Sequence, residues 1–142
     1  MDTLRYSEKV SVLFVCRNNS IRSQMAETIL NSLFNKTHIS FSGGTEPKNI
    51  NKNTIKVLKE IGMDISNKES KNIDNFKNMK FDYVITVCED DKCPYFPDAD
   101  NYIHKSFKDP KNSSKAEYLD SFREVRDEIK GWIIEIIEKG VI

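Results

Sequence analysis

The sequence has no surplus of charge in either sign: 22 lysines and arginines stand against 22 aspartates and glutamates in 142 residues. A nucleic-acid binder would show a basic excess. That class is set aside, and any anion site must be built locally. Long hydrophobic runs are missing as well. None approaches the roughly 20 residues of a membrane span, and the opening MDTLRYSEKV has no apolar core of a secretory signal. A cytoplasmic monomer that engages neither nucleic acid nor membrane is expected. Cysteine is scarce: the three present are an odd number and too few for a disulfide framework. In a reducing compartment, cysteines with a purpose are catalytic, redox-active or metal-binding. Repeats, low-complexity stretches and linkers are also lacking. Residues 1–142 therefore read as one domain, long enough to bury a core without disulfides or metals.

What is present alternates between two patterns. VSVLFV (10–15) and FDYVITV (81–87) are nearly continuous apolar runs, as in strands buried on both faces. HISFS (38–42) and NYIHKSF (101–107) read as shorter strands. Between them, Ile21, Met25, Ile29, Leu30 and Leu33 recur at helical spacing, as do Ile55, Leu58 and Ile61 before a stop at Gly62. A long last helix starts near Ser114 or Lys115, with Leu119, Phe122, Val125, Ile129, Trp132, Ile133 and Ile136 facing inward. Strands alternating with helices predict an α/β fold, a parallel four-stranded sheet covered on both faces. Such open sheets bind ligands beyond the carboxyl ends of their strands. Cys16, Cys88 and Asp109 each follow a predicted strand and so share that edge.

FVCRNNSIRSQMAE (14–27) is the most informative stretch. A loop entering a helix turns unpaired N–H groups and the positive end of the helix dipole toward one point, which favours an anion. The same field stabilises a thiolate at the start of the loop. Arg22 can grip a tetrahedral oxyanion with two parallel hydrogen bonds. Ser23 can donate to the Cys16 sulfur. Asn18 and Asn19 suit left-handed backbone positions, and Asn19 can tie the loop to itself. Residues Arg17, Asn18, Asn19, Ser20, Ile21, Arg22 and Ser23 thus form a candidate oxyanion nest above Cys16. A buried structural cysteine beside a solvated arginine is the plainer alternative. The strand before and the helix after favour the nest.

Cys88 and Cys93 could be incidental. A zinc reading would recruit His104 and Cys16, but the one close cysteine pair is spaced more widely than the usual zinc knuckle. Were 88–93 helical, the two Cα atoms would lie about 8–9 Å apart, beyond the roughly 7 Å limit for a disulfide. A redox role therefore requires this polar segment to unwind or to be a loop, and to change shape on oxidation. Glu89, Asp90 and Asp91 read as a solvated acidic run facing outward. Asp109, in Asp109-Pro110, has the look of a turn opener, yet lies at the same sheet edge as Cys16.

CxxNSxRSQMAE after VLFV resembles the low-molecular-weight tyrosine phosphatase superfamily, and within it the thioredoxin-coupled arsenate reductases. SGGTEP, IGMDISNKES, FDYVITVC, FKDP and FREVRDEIKGWI follow in the family's order, so the likeness spans almost the whole chain. It implies a flavodoxin-like fold with a phosphate loop after the first strand. It also implies Cys16 as nucleophile, Arg22 as oxyanion clamp and Asp109 as the acid that protonates the leaving oxygen. Further, it implies a relay: Cys16 attacks arsenate, Cys88 attacks Cys16 and releases arsenite, and Cys93 attacks Cys88. The resulting disulfide is reduced by external thioredoxin, with no tightly bound cofactor. A plain phosphatase needs neither Cys88 nor Cys93. The remaining alternatives are a phosphomonoester hydrolase with incidental thiols and a non-catalytic redox or oxyanion-binding module.

The chain also departs from the family. Asn18 stands where glycine is usual, and Arg17 where the residue is often small. Lys111 and Asn112 follow Asp109-Pro110 where the tyrosine phosphatases carry an aromatic, which suits a small inorganic anion such as arsenate, phosphate or sulfate. Some of these reductases hold potassium behind the loop, at positions matching Asn19, Glu27, Ser42 and Lys71. Lys71 replaces a carboxylate. No metal is expected: either the Lys71 ammonium sits in place of the ion and pairs with Glu27, or Lys71 is a solvated surface lysine.

Overall fold

The computed structural model describes residues 8–89, 98–112 and 118–142. In chain order the elements are β1 (Val10–Cys16), α1 (Arg22–Leu33), β2 (His38–Gly44), α2 (Lys52–Lys59), β3 (Phe81–Thr86), β4 (Ala99–His104) and α3 (Tyr118–Glu138). The sheet runs β2-β1-β3-β4, and every pairing is parallel. This is the flavodoxin-like order expected from the sequence.

β1 lies between β2 and β3, and the layers packed above and below the sheet cover both of its faces. Val12, Leu13, Phe14 and Val15 are fully buried, which accounts for the unbroken apolar run. Alternate side chains leave a strand on opposite faces. Val12, Phe14 and Cys16 join one large core with Met25 and Ile29 of α1, Val57 and Leu58 of α2, and Phe122, Ile129 and Ile133 of α3. Leu13 and Val15 point the other way, against Phe76, Phe81 and Val84. There Phe81 meets Phe41 and Phe76 edge-on, and Phe41 and Phe76 are tilted against each other, with all centroids about 6 Å apart. A short 3-10 helix, Ile73–Phe76, covers this second face. A single turn has no periodicity to read, and neither this helix nor a second at Pro110–Asn112 was expected.

The ends of the elements decide where the site forms. α2 is capped by the Asn51 side chain, which accepts from the Asn53 N–H, and the chain reverses after it at Gly62 with φ of 82°. β4 stops at His104, earlier than expected, although the Lys105 N–H still reaches the Thr86 carbonyl at 2.9 Å. Residues 105–109 then leave the sheet and turn toward the start of α1. Cys16 closes β1, Cys88 lies just past β3 and Asp109 lies beyond β4, all toward the carboxyl edge.

Candidate active site

The loop from Cys16 to Arg22 joins β1 directly to α1. The α1 cap position, Ile21, makes no side-chain capping hydrogen bond, and the first turn carries no acidic residue. The N–H groups at this end are therefore left for a ligand rather than taken by a cap. Of the two asparagines, only Asn19 is left-handed, with φ of 49°. Asn18 keeps a negative φ, so its place needs no glycine.

A second loop brackets the first. Arg17 and Asn18 carbonyls accept from the N–H groups of Glu46 and Lys48 at 2.9 and 3.0 Å. Asn18 Nδ2 donates to the Glu46 carbonyl at 2.8 Å, and Ser20 Oγ to the Asn49 carbonyl at 2.9 Å. Gly44 permits the close approach: a Cβ there would lie 2.4 Å from the Arg17 carbonyl oxygen and 2.8 Å from that of Cys16. Beneath the loop, fully buried Asn19 is the hub. Its Oδ1 accepts from Gln24 Nε2 and the Lys71 N–H, both at 2.9 Å, and its carbonyl from Ser70 Oγ at 3.0 Å.

Cys16 is a free, buried thiol with Sγ 3.0 Å from Ser23 Oγ. Ser23 Oγ accepts from Asn19 Nδ2 at 2.8 Å. With that lone pair engaged, the hydroxyl proton is free to point at sulfur, the direction that supports a thiolate. Cys16, Asn18, Ser20, Ile21, Arg22, Asp109 and Lys111 line one small cavity. Arg22 bridges to the far wall: Nη1 donates to the Phe107 carbonyl at 3.0 Å, and Nη2 lies 3.7 Å from Asp109 Oδ2. Asp109 Oδ1 accepts from the Lys111 N–H at 3.0 Å.

The other expected residues fall in different places. Arg17 turns its side chain away from the cavity to pair with Glu46 at 3.1 Å. Glu89 is exposed, yet it is not simply solvated: its carboxylate accepts the Asp109 N–H, and its carbonyl accepts from Ser106 Oγ at 3.3 Å. The exit of β3 is thereby tied to the loop that carries Asp109. Lys71 requires a correction. Buried Glu27 pairs with Lys68, Nζ to Oε2 at 2.6 Å, while Ser42 Oγ donates to Oε1 at 2.6 Å. Lys71 offers its backbone N–H to Asn19, and its exposed ammonium lies 3.5 Å from the Glu69 carbonyl. The backbone points the Lys71 side chain outward, and the lysine three residues earlier reaches in. Both Glu27 oxygens are engaged, one by an ammonium, so this donor set does not fit a potassium ion.

Cys88 is buried in the same core cluster as Cys16 and is disulfide-bonded. Cys93 and the expected shape change of its segment, with Asp90 and Asp91, lie outside the described residues. His104 Nδ1 meets Thr86 Oγ1 at 2.7 Å. Among the described residues, no three His, Cys, Asp or Glu side chains could share a metal ion. Sequence reasoning missed Gly44, Gln24, Lys68 and Ser70. Their contribution is a close approach or hydrogen bonds and an ion pair between distant segments, which leave no periodic trace.

The low molecular weight phosphotyrosine protein phosphatase family matches residues 11–140. An arsenate reductase of Bacillus subtilis is 37% identical over 137 residues, covering 94% of this chain and 99% of its own. A solved arsenate reductase in the phosphate-binding state superposes with a TM-score of 0.79 at 31% identity, covering 92% of this chain and 98% of that one. A thioredoxin-dependent arsenate reductase of Corynebacterium glutamicum gives 0.72 at 29% identity, covering 94% and 62%. Nearly every described element and the whole loop from Cys16 to Arg22 fall inside the matched span, and so this chain belongs to the low molecular weight phosphotyrosine protein phosphatase family, as a relative of its arsenate reductases.

Proposed function

We propose that this protein reduces arsenate to arsenite with Cys16 as nucleophile, and that an external dithiol protein of the thioredoxin type restores it. The observation that carries this reading is the contrast between two buried cysteines of one core cluster: Cys16 is free and hydrogen-bonded under the loop, while Cys88 is disulfide-bonded. A phosphatase has no use for the second.

The Cys16 thiolate attacks arsenic, and a hydroxyl of arsenate leaves as water with a proton from Asp109. Arg22 and the N–H groups of residues 17 to 23 hold the remaining oxygens. Cys88 then attacks the Cys16 sulfur. The S–As bonding pair goes to arsenic, which falls from the +5 to the +3 state and departs as arsenite. Cys93 attacks Cys88 and frees Cys16 as thiolate. The Cys88–Cys93 disulfide takes two electrons from the external dithiol. The partner we assign to Cys88 in the disulfide-bonded form is accordingly Cys93. Slow hydrolysis of phosphate esters is an expected side activity, because phosphate and arsenate share shape and charge.

The test is turnover with arsenate, thioredoxin, thioredoxin reductase and NADPH, comparing wild type with Cys93→Ser. Wild type turns over many times and the variant stops after one equivalent of arsenite. Sustained turnover by the variant would defeat the relay. Turnover that survives Cys16→Ser would defeat the assignment of the nucleophile.

A further inference from the structure

We propose that Lys111 is the second cationic residue of the oxyanion site and that it selects doubly charged tetrahedral anions. The inference rests on the reading of the Cys16 loop as an oxyanion site and names the charge that completes it.

The charges around the cavity do not balance without this lysine. Among the described lining residues the ionisable ones are Cys16, Arg22, Asp109 and Lys111. A reactive Cys16 brings a negative charge. Asp109 brings another until it takes up the proton that it gives to the leaving hydroxyl, and Arg22 Nη2 lies 3.7 Å from it. Before that proton is in place, one guanidinium faces two negative groups and is a poor receiver for a dianion. Arg17, the cation nearest in sequence, is spent on Glu46 at 3.1 Å and does not line the cavity. Lys111 supplies the missing charge. Its place is fixed by the backbone: the 3-10 helix Pro110–Asn112 starts on buried Pro110, and the Lys111 N–H is held by Asp109 Oδ1 at 3.0 Å. Lys111 thus lines the cavity beside the acid. A compact ammonium attracts charge without demanding the fixed fork geometry of an arginine. It also gives no flat apolar surface to an aryl group.

Sulfate and perchlorate separate charge from shape, since both are tetrahedral but carry two and one negative charges. Titration calorimetry on the reduced protein compares wild type, Lys111→Gln and Lys111→Arg. Lys111→Gln weakens sulfate binding about fivefold and perchlorate about twofold, because the Coulomb term scales with ligand charge. Lys111→Arg keeps sulfate within about twofold, and high salt shrinks the difference between wild type and Lys111→Gln. Equal changes for the two anions, no change for either, or no sulfate binding by wild type would each overturn the proposal. Failure of the reductase reading is seen elsewhere, as absence of arsenite formation by wild type, and leaves these titrations intact.

Discussion

At the scale of single residues, the site is held from below by polar side chains with few alternatives. Asn19 feeds Ser23, and Ser23 faces the Cys16 sulfur. Glu27 is the buried charge of this layer, 5% exposed, and Lys68 is its cationic partner. Removing Lys68 leaves a carboxylate desolvated without a counter-charge. Lys68→Gln is expected to lower unfolding free energy by about 1–3 kcal/mol, the cost of an unsatisfied buried group. Lys71→Gln should stay within about 0.5 kcal/mol of wild type, as for a surface substitution. Urea denaturation of both variants checks the contrast. Equal losses would mean that Glu27 draws on both lysines.

At the scale of elements, α2 and α3 are joined by one ionic cluster. Glu60, just past α2, accepts from Arg123 Nη2 and Arg126 Nη1, both at 2.8 Å. Arg126 also donates to the Val57 carbonyl at 2.9 Å, from a position 8% exposed. Hydrogen bonds from Arg123, then those from Arg126, hold the Glu60 carboxyl down at about 2 against an ordinary 4.5. Glu60 therefore binds its proton more readily in the unfolded chain. Its contribution to stability is complete above pH 4.5 and is lost as pH falls toward 2. The melting temperature of wild type should drop through that window, and the gap between wild type and Glu60→Gln should close at its acid end. A constant gap across the window would place the stabilisation elsewhere.

At the scale of the molecule, β2 and the last residue of the chain meet at His38. Burial pushes this imidazole below its ordinary 6.5, and a backbone acceptor of Ile142 offsets part of that. Burial thus favours the neutral ring. Stability from His38 is full above pH 6.5 and is lost as pH falls through the lowered folded value. Melting temperature should start to decline just below neutrality, well before the Glu60 window. His38→Gln should flatten that first decline and leave the second in place. An unaltered decline would assign it to another group.

Much of this molecule was legible in its sequence because periodicity survives in one dimension. The unbroken run over β1 follows from burial on both faces, and the spacing of Phe122, Val125, Ile129 and Ile133 follows from one helix face meeting the core. The loop from Cys16 to Arg22 was legible for a related reason: its chemistry is local, a strand end, a few loop residues and a helix start. Tertiary structure decided what depends on convergence of distant segments. Only packing could choose Lys68 over Lys71 for Glu27, because the choice turns on which side chain the backbone aims inward. Only the folded chain could turn Arg17 out to Glu46 and bring Lys111 to the cavity wall, where electrostatics depends on distance through space and not along the chain.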